Sequence, residues 1–319
     1  MNSFLKTIVR FVMFGVLGYT ALIGFRYYKR CTNLPISYPM IGSYGFRHVA
    51  QHFFDHPKKI WIKLFGKSIN PLDVKEGDIV FIKNDPYYLN QFFKNVHPYI
   101  KHNYILLSHN GDETIPGVWE KYLDDSHLIG WCGCNVGPTT HPKMHALPLG
   151  VLGGLNKYLP ADAHEAWGRV LLDITSKKIT KTNMVYLNLN VTTNISERGK
   201  ALAYFKNKPF CTSTRGRPYE HYLREMATFK FVVSPHGHGL DCYRTWEALM
   251  LGCIPIVKKS CLDPLYEGLP VLIVDNWEDV TEAYLEQAYE KMSRTTYHME
   301  RLSIDYWILK IIALKPKTT

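Results

Sequence analysis

The residues best suited to chemistry lie together in the run Ser234-Pro235-His236-Gly237-His238-Gly239-Leu240-Asp241-Cys242-Tyr243-Arg244-Thr245-Trp246-Glu247. An apolar stretch precedes it and a helical pattern follows, so the run is expected to join a buried strand to a helix. Gly237 and Gly239 allow backbone angles and close approaches that side chains forbid. Asp241 is expected to cap the helix, whose first-turn N–H groups favour an anion such as phosphate. Arg244 adds a forked donor able to chelate a diphosphate. Glu247, three residues on, shares its face and can accept hydrogen bonds from ribose hydroxyls. The plain alternative is a surface ion pair between the two. A dinucleotide fingerprint does not fit, because Cys242 stands where the third glycine belongs, and no G-x-x-x-x-G-K-[ST] loop occurs.

His236 and His238 lack the further ligands a metal would need, so ligand contact through their ring N–H groups is the better expectation. Arg198, Arg215 and Arg217 are further phosphate or acceptor candidates, with solvated surface arginines as the alternative. Cys132 and Cys134 form a C-x-C without a second ligand pair, and burial as small apolar residues explains them better than zinc.

These residues need elements to hold them. Strand-like runs occur at 79–83, 104–108, 127–132 and 145–149, and again at 184–189, 230–234, 254–258 and 271–274. Helical stretches at 88–97, 197–206, 219–228 and 243–251 fall between them, which predicts two α/β layers with mostly parallel sheets. Polar residues of interest then lie beyond the C-terminal ends of the strands. The expected division is 1–33 as an N-terminal membrane anchor with a basic flank, 34–160 as a first unit and 161–319 as a second, with 156–183 as linker. Helices at 277–292 and 301–314 finish the second unit, with a return to the first as an option by fold analogy.

A chain of 319 residues with 46% hydrophobic and 21% charged residues is a folded protein. Its net charge of +10 suits an anionic partner, but the basic residues are dispersed without an Arg-rich arm or zinc-finger spacing, so nucleic acid is not expected. Seven cysteines are too few and scattered for a disulfide scaffold. Residues 11–25 carry no charge and are bordered by Lys6, Arg10, Arg26, Lys29 and Arg30. An uncleaved transmembrane helix is favoured over a signal peptide, because small residues are missing where cleavage would fall. The sequons at Asn190 and Asn194 would be usable only if the large C-terminal portion faced a lumen.

The run 229–257, F-K-F-V-V-S-P-H-G-H-G-L-D-C-Y-R-T-W-E-A-L-M-L-G-C-I-P-I-V, resembles the donor-binding half of exostosin-type glycosyltransferases, which carry S-P-x-G, a following Arg, E-A-L and G-C-I-P in this order. The resemblance implies a GT-B fold, two Rossmann-like domains facing across a cleft. It implies transfer of a sugar from a nucleotide diphosphate, with UDP as the carrier, to a glycan or glycoprotein acceptor with inversion. It further implies that Arg244 lies near the diphosphate, Glu247 near the ribose, and Gly237 and Gly239 at the sugar-nucleotide loop. No D-x-D occurs, so the helix N-terminus and arginine would replace a metal, and no cofactor is expected. Inversion needs a base for the acceptor hydroxyl. Asp112 in His109-Asn110-Gly111-Asp112 is the first choice, with His109 behind it, although the segment could be only a tight turn. A Golgi or endoplasmic reticulum protein with luminal domains is the matching location. A catalytically silent sugar-binding or scaffold protein of the same fold is the alternative.

Overall fold

A computed structural model describes residues 39–55, 70–152 and 161–316. The expected anchor at 1–33, with its apolar stretch at 11–25, lies outside the described residues. Among those described, no helix is long and apolar enough to cross a membrane.

Two parallel sheets of five strands form the frame. The first contains β1 (His52–Phe54), β2 (Asp78–Lys83), β3 (Tyr104–His109), β4 (Leu128–Gly133) and β5 (Met144–Ala146) in sequential order. The second contains β6 (Asn183–Asn188), β7 (Cys211–Thr214), β8 (Phe229–Val233), β9 (Ile254–Lys258) and β10 (Leu272–Val274) in the order β10-β9-β8-β6-β7. Central strands of parallel sheets are covered on both faces, so they read as continuous apolar runs. All six residues of β3 are accordingly buried, and Leu107 stands opposite Phe81 on one side and Cys132 on the other.

The helices are α1 (Ser43–His48), α2 (Pro86–Asn95), α3 (Ala161–Thr175), α4 (Ile195–Phe205), α5 (Tyr219–Met226), α6 (Tyr243–Met250), α7 (Asp263–Tyr266), α8 (Glu282–Ser293) and α9 (Ile304–Ile312). Their starts follow ordinary capping chemistry. The Asp85 side chain accepts from the Tyr87 N–H with proline at the head of α2, and Asn194 accepts from the Glu197 N–H at the head of α4. The linker contains α3, which lies against α5 and is tied to it by Arg224 on Asp173 at 3.1 Å.

The final helix crosses back. Ile304, Trp307, Ile308 and Ile311 of α9 are buried in the same core as Ile79, Phe81, Ile105 and Leu107 of the first sheet. Met40 bridges to Ser303, and a Cβ on Gly45 of α1 would lie 2.6 Å from Ile304, so α1 and α9 meet with no room for a side chain between them.

Two differences from the expected elements have simple causes. The strand expected at 145–149 is β5, which ends at Ala146; Pro148, with no N–H to give, lies just beyond. Strands β1 and β7 are only three and four residues long, with half-exposed or exposed side chains, so neither carries the apolar run that marks an interior strand.

One topological feature positions the site. In the second sheet strand order reverses between β6 and β8, so their following loops diverge and open a crevice beyond the strand ends. The first sheet has no such reversal.

Candidate ligand site at the strand-order switch

Arg198, in the first turns of α4, ties the two diverging loops together. Its Nε donates to the His236 carbonyl at 3.1 Å and its Nη1 to the Asn190 carbonyl at 3.0 Å, while Nη2 lies 3.5 Å from Cys242 Sγ. The residue is 8% exposed. Burial first, then the nearby positive charge of Arg244, pulls its pKa below the usual arginine value. Gly237 is required here because a Cβ would lie 2.6 Å from Arg198 Nη2. Asn194 Nδ2 adds bonds to Gly237 O at 3.1 Å and His236 Nδ1 at 3.2 Å, which puts the His236 ring proton on Nε2.

Arg244 lies in the first turn of α6, and its Nε and Nη1 are buried without a hydrogen-bond partner. The residue as a whole is half-buried, but two guanidinium nitrogens out of solvent with unpaired N–H groups are costly, and an anion removes that cost. One turn on, Glu247 is 2% exposed. Its Oε1 accepts from the Tyr219 hydroxyl at 2.7 Å and its Oε2 from the Tyr222 hydroxyl at 3.0 Å. The two rings stack with centroids 6.0 Å apart. Burial pushes the Glu247 pKa up; the two phenols, the Arg244 charge and the Leu152 backbone N–H oppose that. Burial, followed by the charge of Glu247, holds both phenols well above the usual tyrosine range. The alternative of a surface ion pair is therefore not what forms: Glu247 is buried under tyrosines, and Arg244 is left with unpaired donors.

Asp241 departs from expectation. The N-cap of α6 is Cys242, which makes no side-chain cap bond. The Asp241 carboxylate faces the seam between the two units, where it accepts from the Leu149 N–H at 2.8 Å, the Cys242 N–H at 2.8 Å and Trp246 Nε1 at 2.8 Å. Burial raises its pKa to about 6 despite these donors. In return, the Asp241 N–H donates to Asn135 Oδ1 at 2.8 Å, and Asn135 Nδ2 donates to the Gly111 carbonyl at 2.9 Å. Asp241 is thus a bolt joining the units, with its oxygens occupied by protein donors. Gly239 belongs to the same joint, since a Cβ there would lie 2.8 Å from Asn135 Nδ2. Both loop glycines accommodate other side chains of the protein.

On the facing side, Asn110 turns the chain with φ +61°, and a Cβ on Gly111 would fall 1.7 Å from the Asn84 carbonyl oxygen. Asp112, just past this turn, is exposed. Its charge helps to raise the pKa of Tyr243, which places it near the start of α6. His109 is fully buried: Nε2 bonds the Pro148 carbonyl at 3.0 Å and Nδ1 accepts from the Asn110 N–H at 2.8 Å. Burial lowers its pKa to about 4. With both ring nitrogens engaged, His109 cannot take a proton from an acceptor, and its role is to hold the turn.

The other candidates stand apart. Arg215 and His238 are exposed, and Arg217 pairs with Glu225 at 3.3 Å. Cys132 and Cys134 are buried, with burial pushing each thiol up to about 12. No group of three or more His, Cys, Asp or Glu gathers as a metal site among the described residues.

Sequence reasoning missed Asn135, Tyr219, Tyr222 and the Leu149 backbone. Asn135, at φ +58°, carried only the weak signal that asparagine tolerates the left-handed region. Tyr219 and Tyr222 are three apart at the head of an amphipathic helix, a spacing that puts both phenols on one face.

A comparison with family models finds no match, and neither does one with curated protein sequences. Among solved structures, the chain is similar to the GtfA/B complex, with TM-score 0.37 and 10% identity over 76% of this chain and 58% of that one. It is also similar to the apo structure of OtsA, with TM-score 0.44 and 11% identity over 78% and 75% of the two chains. A third is an alpha,alpha-trehalose-phosphate synthase (UDP-forming) from Burkholderia vietnamiensis, with TM-score 0.40 and 8% identity over 77% and 70%. The chain spans just over half of the GtfA/B chain. At these scores the likeness carries nothing about chemistry, which rests on the side chains.

Proposed function

We propose that this protein is a membrane-anchored, GT-B-like glycosyltransferase that moves a sugar from a nucleotide diphosphate, a UDP-sugar by the exostosin-type resemblance, to a glycan or glycoprotein acceptor. The observation that carries the reading is Arg244, with two buried unpaired nitrogens beside the second cation Arg198, at the crevice where strand order reverses. Two cations and a helix N-terminus suit the diphosphate of a leaving group, and Glu247 on the same helix suits the ribose.

In the proposed reaction, Arg244 and the N–H groups at the head of α6 hold the diphosphate and stabilise the charge that grows on it as the bond to the sugar breaks. The acceptor hydroxyl attacks the anomeric carbon from the opposite face, which inverts that centre. Asp112, exposed across the cleft, takes the hydroxyl proton. The metal role is filled by arginine and helix dipole. Anchoring through 11–25, with the catalytic portion in a Golgi or endoplasmic reticulum lumen, completes the proposal.

The test is thermal unfolding of the full-length chain in mild detergent with UDP, GDP, CMP and ADP in turn, with and without chelator. Ligand at about 100 times its dissociation constant adds ~2.7 kcal/mol, a shift of several degrees. A selective shift that survives chelator and is lost in Arg244→Ala supports the reading. No shift with any nucleotide leaves the silent scaffold as the better account.

A further inference from the structure

We infer that Tyr219 and Tyr222 are positioning residues that aim Glu247 at the ribose and make the site discriminate a ribonucleoside diphosphate from a deoxynucleoside or non-nucleoside diphosphate. This rests on the donor-site reading above and adds to it the group that sets carrier specificity.

The geometry is specific. A carboxylate has two oxygens, each able to accept more than one hydrogen bond. Tyr219 takes one acceptor direction on Oε1 at 2.7 Å, and Tyr222 takes one on Oε2 at 3.0 Å. Two donors on opposite oxygens fix the rotation of the carboxylate about its last bond, and with the Leu152 N–H on the same carboxylate one acceptor direction remains. That direction suits a ribose hydroxyl, and a lone diphosphate offers nothing to fill it. Both phenols come from α5, while Glu247 comes from α6, so the aim is set by the packing of two helices and not by a flexible side chain. The charged and titratable groups facing Glu247 are Tyr219, Tyr222, Arg244 and Tyr243, with the Leu152 backbone N–H closing the set. Among these only Arg244 is a cation, and its own N–H groups are unpaired at Nε and Nη1. The phenols are therefore the neutral donors that let a buried carboxylate persist as an acceptor without consuming the cation kept for phosphate.

The experiment uses the full-length chain and titrates ADP, GDP and UDP, their 2′-deoxy counterparts and inorganic pyrophosphate by calorimetry. The natural protein is expected to favour the ribonucleotide over its deoxy form by about tenfold, the worth of one hydrogen bond to a charged group. Tyr219→Phe with Tyr222→Phe should reduce that preference to within about twofold and leave pyrophosphate affinity unchanged. Loss of the ribose preference with pyrophosphate binding retained is the readout that a merely structural role would not give. An undiminished preference in the double variant, or an equal loss for pyrophosphate, overturns the inference while sparing the donor site. Absence of binding by the natural protein to every one of these ligands removes both readings. The single variants separate loss of aim from loss of fold, since each retains one phenol and should show an intermediate preference.

Discussion

Both sheets consist of five parallel strands with polar loops beyond their C-terminal ends, yet the buried polar atoms left unpaired around them differ in charge. In the first unit the buried side-chain atoms left without a partner among the described residues are neutral, Ser43 Oγ and Asn84 Oδ1, and the polar groups near the turn are otherwise bonded to neighbouring protein. His109 uses both ring nitrogens, Ser108 Oγ accepts from Trp131 Nε1 at 2.8 Å, and Asn84 Nδ2 donates to the Glu113 carbonyl at 2.8 Å. In the second unit, at the strand-order switch, Arg244 keeps two nitrogens unpaired. Paired polar groups specify a fold, whereas an unpaired cation held at a crevice is a standing demand for a ligand. On the proposed reading, structure belongs to one loop set and ligand binding to the other.

The contrast breaks most sharply at Gly111. Its Cβ would sit 1.7 Å from the Asn84 oxygen, a backbone atom that cannot move aside without dragging β2. Gly111→Ala is expected to cost more than about 4 kcal/mol or to prevent folding, as seen in denaturant titration. A stable variant with an unchanged midpoint would mean that the turn is not the fixed post described here.

Next in size is Asp112→Asn. On the proposed reading this removes the general base and lowers turnover by about a hundredfold or more. Because Asp112 is exposed, nucleotide affinity and unfolding temperature should stay as they were. An unchanged rate of nucleotide release in the presence of acceptor would remove Asp112 from the mechanism, and with it the first unit's one chemical role.

A third test sets the first unit against the seam. His109 has its pKa lowered from 6.5 to about 4, so between those values the unfolded chain binds the extra proton and stability rises with pH. Asp241 has its pKa raised from 3.8 to about 6, so over nearly the same interval the folded chain binds the extra proton and stability falls with pH. Each contribution integrates to about 3 kcal/mol, with opposite sign. The natural protein should therefore show little net slope from these two groups between pH 4 and 6. His109→Gln should expose a fall in stability with rising pH, and Asp241→Asn a rise, measured as unfolding free energy at several pH values. Parallel slopes in the two variants would refute the opposition.

How much of this could be read from the residues follows the same division. Interior strands such as β3 and β8 were legible because burial on both faces forces an uninterrupted apolar run, and the glycine loop was legible because few reasons exist for two glycines at a strand-to-helix junction. What the glycines make room for was not. Gly237 accommodates Arg198, some forty positions earlier in the chain, and Gly239 accommodates Asn135, from the other unit. Asp241 shows the same limit: an aspartate just ahead of a helix is an expected cap by local rules, and only the approach of Leu149 across the seam gives it another use. Local chemistry can be read from spacing; long-range partners depend on how the two sheets meet.

The smallest expected effect tests whether the unpaired state of Arg244, and not positive charge in general, makes the site. Arg215 follows β7 at the sheet edge and is exposed, so its charge is already solvated and screened. Arg215→Ala should weaken nucleotide binding by less than about threefold, with even that loss vanishing at high salt, as exposed charges contribute ~1 kcal/mol or less. Arg244→Ala removes a guanidinium whose desolvation is already complete at two nitrogens, so its effect should be near a hundredfold and should persist in salt. Equal losses at the two positions, equally sensitive to salt, would turn the crevice into a diffuse basic surface and erase the distinction between the two sheets.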